Sequence, residues 1–132
     1  MVFCMFLAGC GTASRKQILA AEESQVKLRS MQTRAFDTTD KKQVMHAVIS
    51  TLQDLQFLIQ KSDYFTGTIS AQKISKGALL KVSVTVRPRG ETQMLVRINA
   101  QYGIKAVEDP ETYQDFFVAL GKSLFLAANQ VD

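Results

Sequence analysis

The 132-residue chain contains two cysteines, Cys4 and Cys10, and one histidine, His46. Zinc sites draw three or four ligands chiefly from Cys, His and carboxylates. Both cysteines fall in the first ten residues, so the rest of the chain has no disulfide to brace it and no Cys/His set for a metal. The aspartates and glutamates are scattered without a metal-ligand spacing. Gly67 and Gly77 are isolated turn or strand glycines, and no glycine-rich loop of the dinucleotide or P-loop kind is present. Ser50, Ser62, Ser70 and Ser83 lie outside any nucleophile elbow, and one histidine is a thin supply of bases for them. No apolar run approaches the roughly 20 residues of a spanning helix. Charge of one sign is not concentrated either: the net charge of +4 is spread along the chain, with no basic arm of the kind that binds nucleic acid.

These absences leave few candidates for chemistry. His46 sits off the centre of an apolar helical stripe and reads as a part-exposed structural residue. Asp54 and Asp63 could meet only through folding. The expectation is therefore a non-enzymatic protein with no catalytic residues, no metal and no dissociable cofactor. Its length suits one domain, and its 46% hydrophobic content is ordinary for a globular protein.

The most informative segment is at the front. Residues 1–9 are apolar or small and uncharged, and Ala8 and Gly9 leave an unobstructed approach to Cys10. An apolar run before a small-residue cleavage site marks a processed export segment. Leu7-Ala8-Gly9-Cys10 resembles the lipobox of bacterial lipoproteins, although no Lys or Arg precedes Arg15. The resemblance implies cleavage before Cys10 and a covalent lipid on Cys10, which anchors the protein to a membrane. Gly11 and Thr12 lack the acidic residue associated with inner-membrane retention, which points to the outer membrane and the periplasm. The expected organisation is a signal peptide over 1–9, a lipidated tether over 10–29 and a single α+β periplasmic domain over 30–132. Within the tether, Ser14 to Leu28 could form a short helix with a patchy apolar stripe.

Residues 31–36 read as an edge strand. Asp40 suits a helix N-cap with Gln43 three places on, and Val44, Val48, Leu52 and Leu55 give one buried face over 41–55. Strands are expected at 57–60 and at about 66–74, followed by a turn at Lys76-Gly77. Leu80, Val82, Val84 and Val86 alternate with Lys81, Ser83, Thr85 and Arg87. After an interruption at Pro88-Arg89-Gly90, Met94, Val96, Ile98, Ala100 and Tyr102 alternate with polar residues. This is the pattern of an antiparallel sheet with one dry face. Asp109-Pro110-Glu111 opens a last helix whose Tyr113, Phe116, Phe117, Leu120 and Leu124 must cover something large, with Phe125 expected in the same core. Gly121 is expected to allow a neighbour to approach closely. The fold class is α+β, an antiparallel sheet with two helices packed on one face in the order strand, helix, four strands, helix.

That order resembles the helix-grip arrangement of several small exported domains. The phrases Met31–Thr38, Thr51–Phe57 and Tyr113–Phe117 resemble a family of small Gram-negative lipoproteins, over roughly residues 30 to 130. The resemblance implies an anchored envelope domain and supplies no reaction. Lys81, Arg87 and Arg97 share the outward face of neighbouring strands and are the candidate contacts for an anion or a partner; the same face also reads as a solvated surface. The leading expectation is an adaptor or structural component of an envelope complex, held to the membrane by its lipid and bound to an envelope protein. The alternative is a small-ligand or lipid-binding module between the sheet and the last helix. The sequence leaves the oligomeric state open.

Overall fold

The computed structural model describes residues 10–128, with side chains from residue 15 to residue 126. The expected signal segment 1–9 lies outside the described residues, and so does the Cys10 side chain. The chain divides into two units between Ser30 and Met31. The first is helix α1, Cys10–Gln32, whose last two residues belong to the second unit. Its 23 residues correspond to a length of about 34 Å. The helix is longer than the expected Ser14–Leu28. From Thr12 to Gln32 it contains no Gly or Pro and is rich in Ala, Leu, Lys, Arg, Glu and Gln, all strong helix formers. Met31 and Gln32 therefore end this helix instead of opening the first strand.

The second unit carries β1 (Thr33–Phe36), α2 (Lys41–Asp54), β2 (Leu58–Asp63), β3 (Thr68–Ser75), β4 (Ala78–Arg89), β5 (Gln93–Tyr102), β6 (Lys105–Ala106) and α3 (Pro110–Ala128). All strand pairs are antiparallel, in the order β1-β5-β4-β3-β2, and β6 adds to β5 beyond β1. The fold is α+β, as the sequence pattern implies, with α1 and the short β6 as additions. One sheet face is dry: Ile69, Ala71, Leu80, Val82, Val84, Val86, Met94, Val96, Ile98 and Ala100 are all buried. The α2 residues Val44, Val48 and Leu52 and the α3 residues Tyr113, Phe116, Phe117 and Leu120 are buried as well. Each large side chain so covered contributes about 1.5–3 kcal/mol relative to exposure.

The ends of α2 explain its limits. Asp40 caps the start, its Oδ1 accepting from the Gln43 backbone N–H at 3.0 Å, while its own N–H donates to Thr38 Oγ1. The reciprocal half of a capping box thus falls to a threonine and not to Gln43. At the other end Phe57 N–H donates to Leu52 O at 2.8 Å and Gln56 N–H to Gln53 O at 3.0 Å. This is a Schellman ending, with Gln56 in the left-handed region (φ 74°) that glycine usually fills.

Several boundaries differ from the sequence reading. β2 continues to Asp63, and the turn follows it, with Asp63 Oδ1 accepting from the N–H groups of Phe65 and Thr66. β4 runs through Pro88, which pairs with Met94. Val86 N–H points away from β5, to Gly67 O. The Pro88 nitrogen two residues later has the same orientation, where β3 has already ended, so proline removes no ladder bond there. Phe125 is exposed (66%), which corrects its assignment to the core. A Cβ added at Gly121 meets nothing within 4 Å, so no close neighbour explains that glycine.

The last residue of α1 is tied to α3 inside the second unit. Gln32 is buried, and its Nε2 donates to Tyr113 Oη at 3.1 Å. Tyr113 Oη in turn donates to Val107 O. Val107 follows β6 and donates its own N–H to Ala100 O at 2.8 Å.

Candidate functional site

Helices α2 and α3 lie over the dry face and leave the other face of the sheet to solvent. The register arranges that face into rows. Gln72, Lys81 and Gln101 form one row, and Ser70, Ser83 and Asn99 form the next. Thr68, Thr85, Arg97 and Thr33 make a third, followed by Arg87, Leu95 and Ala35. Lys81, Arg87 and Arg97 are all exposed.

The three candidate cations do not converge on one point. Arg97 is opposite Thr85, so Arg87 is its diagonal neighbour, a backbone separation of about 7–8 Å. Lys81 is six residues from Arg87 along β4, about 20 Å away. Together they mark a stripe that a small anion cannot bridge and an extended acidic surface can. Lys61 on β2 and Arg89 on β4 add to the same face by register and alternation. Asp63 is the carboxylate on its strand positions among the described residues, and its Oδ1 is already engaged by two backbone N–H groups. Between Lys81 and Asn99 the face dips into a shallow depression of about 350 Å³ lined by hydroxyls and amides, including Ser70, Ser83 and Gln101.

One end of this face is aliphatic. Ile74 and Leu79 are cross-strand partners and exposed, and Leu58 is exposed beside Gln72. Ile104 is fully exposed in the β5–β6 turn, next to the Leu80–Tyr102 pair and hence at the same end. An exposed aliphatic cluster beside a basic polar field is the composition of an interaction surface.

The open edges of the sheet offer little to a foreign strand. β2 breaks register between Ile59 and Lys61 and carries Lys61 outward, while β1 has four residues and β6 two. A bulge, an edge lysine and short strands all discourage pairing with a foreign strand.

The remaining candidates are dispersed. His46 is exposed on α2, between a groove reaching Ser123 on α3 and another lined by Met45, Ile49 and Tyr64. Asp54 ends α2 at the Leu58 end of β2, whereas Asp63 closes β2 at the opposite end. Folding thus separates these two carboxylates along the length of the strand. No group of three or more Cys, His, Asp or Glu side chains that could hold a metal occurs among the described residues. No helix there is long and apolar enough to cross a membrane.

Sequence reasoning missed Lys73. It pairs with Leu80 and so points to the dry face, where Ile69 and Ala71 precede it on the same side of β3. Its Nζ donates to Leu55 O at 2.8 Å and lies 4.5 Å from the centre of the Phe57 ring. A lysine in an inward register position was the available signal. Arg34 on β1 is a second inward-register cation, 5.0 Å from the Phe117 ring centre.

No family model matches the chain, and no curated protein matches it either.

Proposed function

We propose that this protein is a non-enzymatic, lipid-anchored adaptor of the bacterial cell envelope. In this reading Cys10 carries a covalent lipid in the outer membrane, α1 is the spacer, and the sheet domain faces the periplasm. The domain docks an acidic surface of an envelope protein through its uncovered sheet face. The lipobox-like Leu7-Ala8-Gly9-Cys10 supports the anchor. The observation that carries the docking role is the stripe of Lys81, Arg87 and Arg97 over about 20 Å, ending in the exposed pair Ile74 and Leu79. A complementary acidic partner would be steered and oriented by such a stripe.

Two experiments test the two halves. Intact mass of the membrane-extracted protein should show loss of residues 1–9 and an acyl mass on Cys10, absent in Cys10→Ser. An unprocessed, unacylated chain overturns the anchor. For docking, a photo-crosslinker at Ser83 in living cells should capture one consistent envelope protein, and one at Gln53 on the exposed side of α2 should not. Combining Lys81→Glu, Arg87→Glu and Arg97→Glu should reduce the Ser83 adduct about tenfold or more. Equal capture from both positions, or capture that the triple reversal leaves undiminished, overturns the docking surface.

A further inference from the structure

We propose that a recess between α3 and the Lys76–Gly77 end of the sheet is a binding site for a small monocarboxylate with a short apolar tail. This inference stands apart from the adaptor reading, because it concerns the opposite face of the sheet. The recess has a volume of about 150 Å³. Its floor is apolar, formed by Phe57, Leu80, Val82, Ile98 and Phe116, all of them buried. Its polar groups are Lys73, Ser75, Lys76, Tyr102, Thr112 and Asp115. An apolar floor with a few convergent polar groups is the usual construction of a small-molecule site.

Size sets the ligand class. An apolar cavity of about 150 Å³ takes up benzene, so the buried part of the ligand is limited to roughly six carbon-sized atoms. A membrane acyl chain is far larger. The charge at the rim sets the sign. The lining carries two lysines, Lys73 and Lys76, and one carboxylate, Asp115, so a single negative charge restores neutrality.

The hydrogen-bond inventory says where that charge would sit. An ammonium has three N–H donors. Lys73 spends one on Leu55 O, the C-cap carbonyl of α2, and the Phe57 ring covers part of its charge. The two remaining N–H groups belong to a half-buried cation beside an apolar surface, where a charge-assisted bond is stronger than in water. Tyr102 Oη donates to Ser75 Oγ at 3.2 Å, which leaves the Ser75 hydroxyl proton free to donate. Lys73 Nζ and Ser75 Oγ are thus two donors for one carboxylate, with the tail directed onto Phe57 and Ile98.

The test uses the full chain carrying Cys10→Ser, so that no acyl group is present, and reads amide and methyl NMR shifts during titration. The probes are isovalerate, its neutral isostere isovaleramide, and isopentylamine. Isovalerate should bind saturably with Kd of about a millimolar, in keeping with so few heavy atoms. The amide should bind about tenfold more weakly, and the amine should not bind. Shifts should cluster on Ser75, Leu80, Ile98 and Phe116. Lys73→Met keeps the stem over Phe57 and should remove the preference for the acid over the amide while the spectrum stays folded. N-acetyl-leucine separates the two sources of such a carboxylate: tighter binding than isovalerate assigns it to a peptide C-terminus, weaker binding to a free acid. Equal affinity for acid and amide, or shifts confined to other surfaces, overturns the proposal. So does affinity that keeps rising from isovalerate to decanoate, since that requires an acyl channel the recess does not provide.

Discussion

Gly67 is the residue whose replacement the structure constrains most tightly. It closes the β2–β3 turn at φ +70°, donates its N–H to Asp63 O at 2.9 Å, and accepts from Val86 N–H at 2.7 Å. A Cβ built on it would stand 2.1 Å from Val86 O, a backbone atom that cannot rotate away. Gly77 is the natural control, since it has nearly the same φ (+75°) and no atom within 4 Å of an added Cβ. Gly77→Ala should therefore cost only the left-handed penalty of about 1 kcal/mol. Gly67→Ala should add the loss of the Val86–Gly67 bond, for a total of about 2–4 kcal/mol. For a domain of this size that is a drop in Tm of about 10–25 °C, against about 4–8 °C for Gly77→Ala. Thermal unfolding by circular dichroism, with urea midpoints alongside, measures both. Equal losses in the two variants would refute the argument, because they would mean that the β2–β3 turn shifts freely away from β4.

Gln56→Gly should stabilise the domain by about 0.5–1 kcal/mol, since it relieves a left-handed glutamine in a Schellman position; a lower urea midpoint would contradict this. Thr51 is 1% exposed, and its Oγ1 has no hydrogen-bond partner among the described residues. Thr51→Val should accordingly raise stability by about 1 kcal/mol, and a loss would reveal a partner for that hydroxyl. Tyr113→Phe should cost about 1–3 kcal/mol by orphaning Val107 O and the Gln32 amide together. Hydrogen exchange should then show the Val107 segment opening before the rest of the sheet.

The readable parts of this chain were those in which one period dominates. The alternation over 80–87 and 94–102 fixes both the strands and their dry face, and Asp40 and Pro110 mark helix starts by local chemistry alone. What was not readable depends on partners distant in sequence. Pro88 looks like a strand breaker until β3 is seen to end before it. Lys105–Ala106 is too short to carry a pattern and is a strand because β5 offers an edge. Phe125 belongs to the apolar composition of α3, yet it falls off the side that meets the sheet. Lys73 breaks an apolar alternation, and only the fold reveals that Leu55 O and the Phe57 ring receive it. The candidate contact residues were legible as a common face, but their separation into an arginine pair and a distant lysine needed the cross-strand register.

That separation divides the labour expected of the docking surface. Exposed ion pairs are each worth about 0–1 kcal/mol, and charges about 20 Å apart act independently at a physiological screening length of about 8 Å. Lys81, Arg87 and Arg97 therefore cannot supply the affinity of a stable complex by pairing alone. Their summed field acts earlier, on the rate and orientation of encounter. Residence must come from apolar burial, which this face offers at Leu58, Ile74 and Leu79. The two sets of substitutions should then separate kinetically once the partner is in hand. Arg87→Glu with Arg97→Glu should slow association about tenfold or more and flatten its salt dependence, with little change in dissociation. Ile74→Ser with Leu79→Ser should speed dissociation and leave association nearly intact. Surface plasmon resonance at two ionic strengths reads both. If the charge reversals change only the dissociation rate, the arginines are buried anchors in the complex, and the affinity does not reside at the aliphatic end.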